Sequence, residues 1–296
     1  MKYLPDAALM KAADSYTITQ LGIPSIELME RAATACVEYM EEEFWDTSRV
    51  CVVCGSGNNG GDGFAIGRLL LAKGSNVTMF FAGNMQHRTK ETIYQMELFE
   101  KAGGIVETRF PAGEYSVVVD ALFGIGLSRE ITGDYRRILT LMNELSGKKL
   151  AVDIPSGISA STGQVMGIAF RADVTVTFQE EKFGMAVFPG CEYVGEIITA
   201  DIGIDNTLIK NDSKTAFTIE YSDAKKMLPE RREDSNKGSF GRMLLIAGCK
   251  GMAGAAYLSA AAAYRTGAGL VQIYTAEENR SILQQLIPEA IVSVYK

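Results

Sequence analysis

The strongest constraint on the fold is the alternation of short apolar runs with helical patterns between residues 50 and 200. Each apolar run has the length and β-branched content of a buried strand. Alternating strands and helices are typical of a mainly parallel sheet covered by helices on both faces. The pattern predicts strands at 50–54, 76–82, 105–108, 116–121, 149–154, 173–178 and 194–200, and helices at about 5–20, 25–44, 64–73, 88–102 and 134–146.

Composition narrows the class of protein. The chain has 296 residues, of which 47% are hydrophobic and 22% charged, which suffices for a packed core in one large or two moderate domains. A formal net charge of -7 argues against nucleic acid or an anionic membrane as the main partner. No apolar run reaches the roughly 18 residues of a spanning helix, and the first residues do not resemble a signal peptide. We therefore expect a cytoplasmic protein.

Histidine and cysteine usage excludes several kinds of site. His87 is the only histidine, so a Ser/His/Asp triad or a two-histidine metal centre would depend on it. We expect it in a solvated loop. The five cysteines are an odd number without paired spacing, which favours reduced thiols. Cys51 and Cys54 form a C-x-x-C on a predicted strand, where residues three apart point to opposite faces. We interpret them as core residues rather than a redox or zinc pair.

A glycine-rich stretch, GSGNNGGDG at 55–63, follows the first strand, and its glycines are expected to turn the backbone sharply into a helix. Its first six residues match the dinucleotide-binding pattern G-x-G-x-x-G. That pattern needs an acid about 20 residues on, at the end of the second strand, and the strand at 76–82 ends without one. Asp62 would also repel a pyrophosphate, and no Lys-Ser or Lys-Thr completes a P-loop. What remains is a polar cradle of two amides, Asn58 and Asn59, and one carboxylate.

Two further strand ends carry acids. The run at 117–121 contains Asp120 and continues as LFGIGL, and the run at 150–154 contains Asp153, followed by Pro-Ser-Gly. In a parallel sheet the carboxyl ends of the strands share one edge, so we expect these two segments and the glycine-rich stretch to converge. Each loop alone can be a simple turn with a capping residue. Three loops on one edge, two of them with an acid, favour a ligand site.

The converging loops also offer ligands for an ion. Asn59 supplies an amide oxygen, Asp120 a carboxylate, Ser156 a hydroxyl, and the segment 122–126 backbone carbonyls. An oxygen-only set with one carboxylate excludes zinc and fits a hard cation of low charge. Such an ion would order the loops rather than perform chemistry.

Three motifs, NNGGDG at 58–63, DALFGIGL at 120–127 and DIPSG at 153–157, together resemble the NAD(P)H-hydrate epimerase family. LMERAA at 28–33 is similar to the family's second helix. The resemblance covers about residues 1–205 and implies a three-layer Rossmann-like α/β fold. It implies a small-molecule substrate, hydrated NADH or NADPH, whose R and S forms at C6 of the nicotinamide ring are interconverted. It also implies that K+ binds to Asn59, Asp120 and Ser156. We further expect a homo-oligomer. The implied substrate-binding residues are Asn58, Asn59, Gly60, Gly61, Asp62, Gly124, Ile125, Gly126, Leu127, Ser128, Arg129, Glu130 and Asp153.

The catalytic mechanism is a hypothesis of our own. Inversion at C6 requires a bond there to break and re-form, and the ring nitrogen can expel the hydroxyl or open the ring if a proton is supplied or removed. Asp153, at a strand end in a partly dry pocket, is the candidate acid–base residue. Asp62 is the second candidate, or it caps the helix and orients Asn58 and Asn59.

The character of the sequence changes after about residue 205. We expect an epimerase domain at 1–207, a polar linker at 208–220 and a second domain at 221–296. KGSFG at 237–241 and GMAGA at 251–255 resemble the start of the ADP- or ATP-dependent NAD(P)H-hydrate dehydratase family, which is ribokinase-like. That family's later glycine-rich nucleotide loop has no counterpart before Lys296. We therefore expect an incomplete ribokinase-like α/β domain without dehydratase activity, with an unpaired sheet edge and uncovered apolar faces.

Two other functions stay open. An ordinary NAD-dependent oxidoreductase is favoured by the literal glycine pattern and disfavoured by the missing acid. A non-catalytic module that binds a nucleotide or a protein partner would use the same residues, so the sequence does not exclude it.

Overall fold

The computed structural model describes residues 1–228 and 230–295. The chain divides into two compact units, Met1–Asp223 and Ala224–Lys296. All motifs of the predicted active site lie in the first unit. In the described residues, no helix is both long and apolar enough to cross a membrane.

A seven-stranded sheet forms the centre of the first unit. A short strand, β1 (Lys2–Leu4), lies outside this sheet. The sheet strands are β2 (Arg49–Cys54), β3 (Asn76–Phe81), β4 (Val106–Glu107), β5 (Val117–Ala121), β6 (Lys148–Val152), β7 (Val174–Phe178) and β8 (Glu196–Ala200). Their order is β4-β3-β2-β5-β6-β7-β8, and every neighbouring pair is parallel. The predicted parallel sheet is confirmed.

Helices cover both faces of this sheet. They are α1 (Ala7–Thr19), α2 (Ser25–Glu42), α3 (Asn58–Ala72), α4 (Lys90–Lys101), α5 (Gly133–Glu144), α6 (Phe183–Ala186) and α7 (Thr207–Asn211). Buried residues of β2 alternate between two cores. Cys54 packs with residues of α1 to α4, whereas Cys51 packs on the opposite face with Leu139 and Met142 of α5. The two thiols are therefore free core residues on opposite faces, as the two-residue strand period predicts.

The strand order reverses between β2 and β5. From β2 the chain proceeds outward to β3 and β4, and from β5 it proceeds in the other direction to β8. The carboxyl ends of β2 and β5 therefore border a crevice at the switch point of the sheet, which is where ligands bind in open α/β folds. The glycine-rich stretch and the segment after Asp120 begin at this crevice, and Asp153 follows the adjacent strand β6.

The structure differs from the predicted linker at 208–220. In this stretch α7 buries Ile209 in the main core of the first unit. A further strand, β9 (Ala216–Thr218), pairs antiparallel with β1. The polar residues 210–215 follow Ile209, and the strand that pairs with β9 lies at the other end of the unit. A local pattern therefore could not reveal either contact.

The second unit is a small parallel α/β structure. Helix α8 (Tyr221–Met227) spans the boundary between the two units. The elements after it are β10 (Arg242–Ile246), α9 (Ala253–Thr266), β11 (Leu270–Ala276), α10 (Arg280–Leu286) and β12 (Ile291–Tyr295). Both helices pack on one face of the sheet, where Val271 and Ile273 are buried. On the other face Leu244 and Ile246 are 58% and 74% exposed. In the described part of this unit, this apolar face of the sheet is therefore uncovered.

Candidate functional site

The glycine-rich stretch after β2 is mostly helical. The predicted helix start at 64 is wrong, because α3 begins at Asn58, with Gly57 as its N-cap. The N–H of Gly60 donates to the carbonyl oxygen of Gly57 at 2.9 Å. Asn58, Asn59 and Asp62 therefore project from the first two turns of a helix at the switch point. A helix start fixes these side chains more firmly than a loop would.

The glycines of α3 have a different role from the predicted one. Gly60 and Gly63 do not adopt a positive φ, so no sharp turn requires them. A Cβ on Gly60 would lie 1.9 Å from the carbonyl oxygen of Gly55, and one on Gly63 would lie 2.5 Å from Cys54 Sγ. Glycine thus allows the helix to approach the strand ends closely.

Asp120 and Ser156 form a buried pair that joins two strand ends. Ser156 donates to the Asp120 carboxylate twice, from Oγ to Oδ1 and from its backbone N–H to Oδ2, both at 2.7 Å. The N–H of Leu122 also donates to Oδ1, at 3.2 Å. Burial raises the pKa of Asp120 to about 6, although these hydrogen bonds act to lower it. No cationic side chain among the described residues pairs with this carboxylate.

Asn59 lies on the other side of the segment after Asp120. A Cβ on Gly124 would be 3.4 Å from Asn59 Oδ1, and Ser156 Oγ accepts from Phe123 N–H at 2.8 Å. The three predicted cation ligands therefore surround residues 122–124. Throughout residues 1–228 and 230–295, no three His, Cys, Asp or Glu residues cluster as metal ligands. A buried carboxylate without a cationic partner, surrounded by neutral oxygens, fits a cation of low charge.

Asp153 occupies the turn after β6 with a φ of +68°. Asp is one of the few non-glycine residues that adopt this left-handed conformation. Oδ1 of Asp153 accepts from Phe178 N–H at 3.3 Å and Thr177 Oγ1 at 3.4 Å. It also forms an ion pair with Lys182 Nζ. The sequence predicted a partly dry pocket for this acid but not the buried lysine that contacts it.

Two further carboxylates face the same cavity as Asp153. Burial, and then the charges of Asp153 and Asp14, raise the pKa of Asp62 well above its ordinary value. Burial, and then the charges of Asp153 and Glu91, raise the pKa of Asp14 on α1. The cavity therefore has acids on several sides, and burial and mutual repulsion raise the pKa of both Asp62 and Asp14.

The cavity has a volume of about 570 Å³. Its predicted lining residues are Asn58, Asn59, Asp62, Gly124, Ile125, Gly126, Leu127, Ser128, Arg129 and Asp153. Gly60, Gly61 and Glu130 are not among its lining residues. Gly60 and Gly61 are buried against neighbouring residues, whereas Glu130 is exposed.

The sequence reasoning missed Lys182, Asp14 and Lys11, all of which line the cavity. Lys182 could have been found, because it follows the predicted strand at 173–178 on the same sheet edge. Asp14 and Lys11 lie on α1, where a helical pattern alone does not show which polar face points toward a site.

Comparisons with known proteins agree with this geometry. A family described as YjeF-related protein N-terminus matches residues 25–184, and one described as NAD(P)H-hydrate dehydratase matches residues 243–296. The chain is 36% identical over 273 residues to a bifunctional NAD(P)H-hydrate repair enzyme Nnr from Coxiella burnetii, covering 90% of this chain and 55% of that protein. The chain thus spans about half the length of the bifunctional relatives.

Shorter relatives match over nearly their whole length. An NAD(P)H-hydrate epimerase from Weissella koreensis is 41% identical over 196 residues, covering 66% of this chain and 89% of the relative. A crystal structure of yeast ynu0 (YNL200c) has a similar fold, with a TM-score of 0.56 at 19% identity, over 67% of this chain and 86% of that one. The resemblance found in the motifs is confirmed, and the chain belongs to the YjeF-related protein N-terminus family.

Proposed function

We propose that this chain interconverts the R and S forms of hydrated NADH and NADPH at C6 of the nicotinamide ring, as a step of nicotinamide nucleotide repair. The activities for which its relatives are named support this proposal. The structural observation that carries the proposal is the cavity at the switch point, where Asp153, Asp62 and Asn58 face one space. Its volume of about 570 Å³ lies within the range of small-molecule sites.

Charge within the cavity favours one orientation of the substrate. The Asp153 carboxylate would repel a pyrophosphate, and Asp14 and Asp62 add no positive charge that would attract one, so we place the uncharged nicotinamide ring beside these acids. Lys11 and Arg129 also line the cavity, and a Cβ on Gly126 would lie 3.6 Å from Lys11 Nζ. We place the phosphates near these two cations. This orientation explains why the site lacks the ribose-binding acid of a dehydrogenase.

Inversion at C6 needs one proton to move in each direction, by either of two routes. Protonation of the hydroxyl lets the N1 lone pair expel water, and the iminium then takes up water on its other face. Alternatively, a base removes the hydroxyl proton, and the C6–N1 bond breaks with its electron pair on N1, which takes up that proton and leaves an open-chain aldehyde. Ring closure by the reverse steps after rotation gives the other epimer. In both routes we assign the proton transfer to the Asp153 carboxyl. Asp62 is the second candidate, since its protonated form can donate to the hydroxyl.

We propose K+ as the cation at Asn59, Asp120 and Ser156. Its support is the buried Asp120 carboxylate without a cationic partner, next to amide, hydroxyl and carbonyl oxygens. The bound ion would supply positive charge that holds the segment after β5 against α3. We assign contact with the substrate to residues of the chain and not to the ion, because Gly124 and Asn59 both line the cavity.

Epimer exchange starting from one purified epimer of hydrated NADH tests the proposed function. The wild type is expected to produce the equilibrium mixture of R and S forms, separated by chromatography. Asp153→Asn keeps the shape of the side chain and is expected to slow exchange by at least about 100-fold, with substrate binding retained. Asp134→Asn, an exposed position at the start of α5, is the matched control and should behave as the wild type.

Each other outcome has its own meaning. Near-normal exchange by Asp153→Asn would refute the acid–base assignment. Absence of exchange in the wild type would refute the proposed function. In that case, loss of NADH absorbance with alcohols or acids would identify an oxidoreductase, and ligand binding alone would identify a binding module.

We also propose a cytoplasmic homo-oligomer that acts on a small molecule. Support for a reducing compartment comes from the free thiols of Cys191 and Cys249, which are not fully buried. Light scattering of the purified chain measures the assembly state, and cell fractionation measures the location. A monomer, or enrichment outside the cytoplasm, would contradict this proposal.

A further inference from the structure

Lys182 is a fully buried lysine whose ammonium group donates to three protein oxygens. Its side chain is 1% exposed. Nζ donates to Asp153 Oδ1, to Thr177 Oγ1 at 2.8 Å and to the carbonyl oxygen of Phe178 at 3.0 Å. An ammonium group has three N–H donors, and three oxygens accept them here. Lys182 therefore has no N–H left to donate to a substrate, although it lines the cavity.

The two carboxylate oxygens of Asp153 differ in their surroundings. Oδ1 accepts from Lys182 Nζ, Thr177 Oγ1 and Phe178 N–H. Oδ2 accepts no hydrogen bond from the residues that the structure describes. The side chain of Asp153 is 14% exposed and lines the cavity. One oxygen is thus held by the protein, and the other is available to the contents of the cavity.

The backbone around Lys182 leaves little freedom to move. The N–H of Phe183 donates to the carbonyl oxygen of Pro5 at 2.9 Å, and that of Gly184 donates to Ala160 at 2.7 Å. A Cβ on Gly184 would lie 1.9 Å from the carbonyl oxygen of Ser159, so this turn packs directly against the neighbouring backbone. The position of the ammonium group is therefore set by contacts with two other segments.

We propose that Lys182, together with Thr177, is a positioning device that fixes Oδ1 of Asp153 and thereby presents Oδ2 as the oxygen that exchanges the proton. This inference rests on the proposed epimerase function and assigns Lys182 no contact with the substrate. The physical reason is preorganisation, because a carboxyl that is held in one orientation needs no reordering when the proton moves. The turn after β7 thus completes a site whose acid follows β6.

Two variants test this device. Lys182→Met keeps the length of the aliphatic stem and removes the charge, and it is expected to lower kcat by about 100-fold with KM within about threefold of the wild type. Thr177→Val keeps the shape of the side chain and removes the hydroxyl, and kcat should fall by about tenfold. Thr177→Ser restores the hydroxyl and should recover most of kcat. The matched control is Lys2→Met, because Lys2 Nζ pairs with Glu181 at 2.6 Å, next to Lys182 but away from the cavity.

The outcomes separate the inference from the function. No exchange in the wild type would overturn the proposed function and this inference together. If the wild type catalyses exchange and Lys182→Met has an unchanged kcat, with or without a raised KM, only the inference about Lys182 would be overturned. If Lys182→Met does not fold, Thr177→Val and Thr177→Ser decide, and equal rates of these two variants would overturn it. A fall in kcat for Lys182→Met as large as that for Asp153→Asn, together with a normal kcat for Thr177→Val, would identify Lys182 as the proton-transfer group. That result would also overturn the inference.

Discussion

Substitution of Gly60 by alanine tests whether close approach is the reason for glycine in α3. A Cβ at this position would lie 1.9 Å from the oxygen, 2.7 Å from the carbon and 3.0 Å from the nitrogen of Gly55. All three are backbone atoms, so no side-chain rotation relieves the clash. An ordinary close carbon–oxygen contact is roughly 3.3 Å. The start of α3 would therefore have to move by more than about 1 Å.

The expected magnitude follows from two opposing effects. Overpacking costs about 1–3 kcal/mol, and a clash with backbone belongs at the upper end of this range. Alanine returns about 1 kcal/mol of helix propensity relative to glycine. The net loss of unfolding free energy is expected to be about 2 kcal/mol, which lowers Tm by roughly 4–8 °C for a unit of this size. Epimer exchange should fall as well, since Asn58 and Asp62 move with the helix start.

Tryptophan fluorescence measures this loss in the full chain. Trp45 is the only tryptophan, and it is buried in the core of the first unit at 8% exposure. Its emission therefore reports unfolding of that unit. Gly57→Ala is the matched control, because a Cβ there has no neighbour within 4 Å. The control should lose less than about 1 kcal/mol, the cost of alanine at an N-cap. Equal Tm values for Gly60→Ala and the wild type would refute the reasoning.

Three further predictions follow from the charges and the unit boundary. The raised pKa of Asp62 means that the folded state keeps this proton to higher pH than the unfolded chain, so its contribution to stability falls as pH rises above about 4. Asp62→Asn should therefore raise Tm near neutral pH and leave it nearly unchanged below about pH 4, and equal shifts in melts at both pH values would contradict this. Potassium chloride should raise the wild-type Tm more than lithium chloride at equal ionic strength, and Asp120→Asn should abolish the difference; a difference that persists in the variant would contradict the ligand assignment. Native trypsin should cut at Arg232, whose side chain is 80% exposed, and a cleaved product without epimer exchange would contradict the placement of the site in the first unit.

Much of the fold could be predicted because its signals are local. A strand buried on both faces needs a continuous apolar run, and the runs around Val52 and Val119 are therefore visible in the sequence. Parallel strands place their carboxyl ends on one edge, so the approach of Asp120 to Ser156 also followed from the order of elements. The donor types at this edge favour a low-charge cation, and this ligand stays a prediction.

Other features depend on contacts between distant segments. Gly60 is required because the helix start lies on the backbone of Gly55, whereas the sequence shows only a glycine that several backbone conformations would accept. Ile209 anchors a polar stretch that looks like a linker, because its core position depends on how that stretch packs on the first unit.

The sequence by itself therefore determined the parallel α/β sheet, the edge that borders the cavity and two of the acids that line it, Asp62 and Asp153, since periodicity and strand direction are properties of the chain. Only the tertiary structure decided the surroundings of each acid. Lys182 contacts Asp153 because β6 and β7 are neighbours and the following turns pack together. Asp62 shares its cavity with Asp14 because α1 lies across the same crevice. The protonation and orientation of a carboxyl depend on such neighbours, and no pattern along the chain records them.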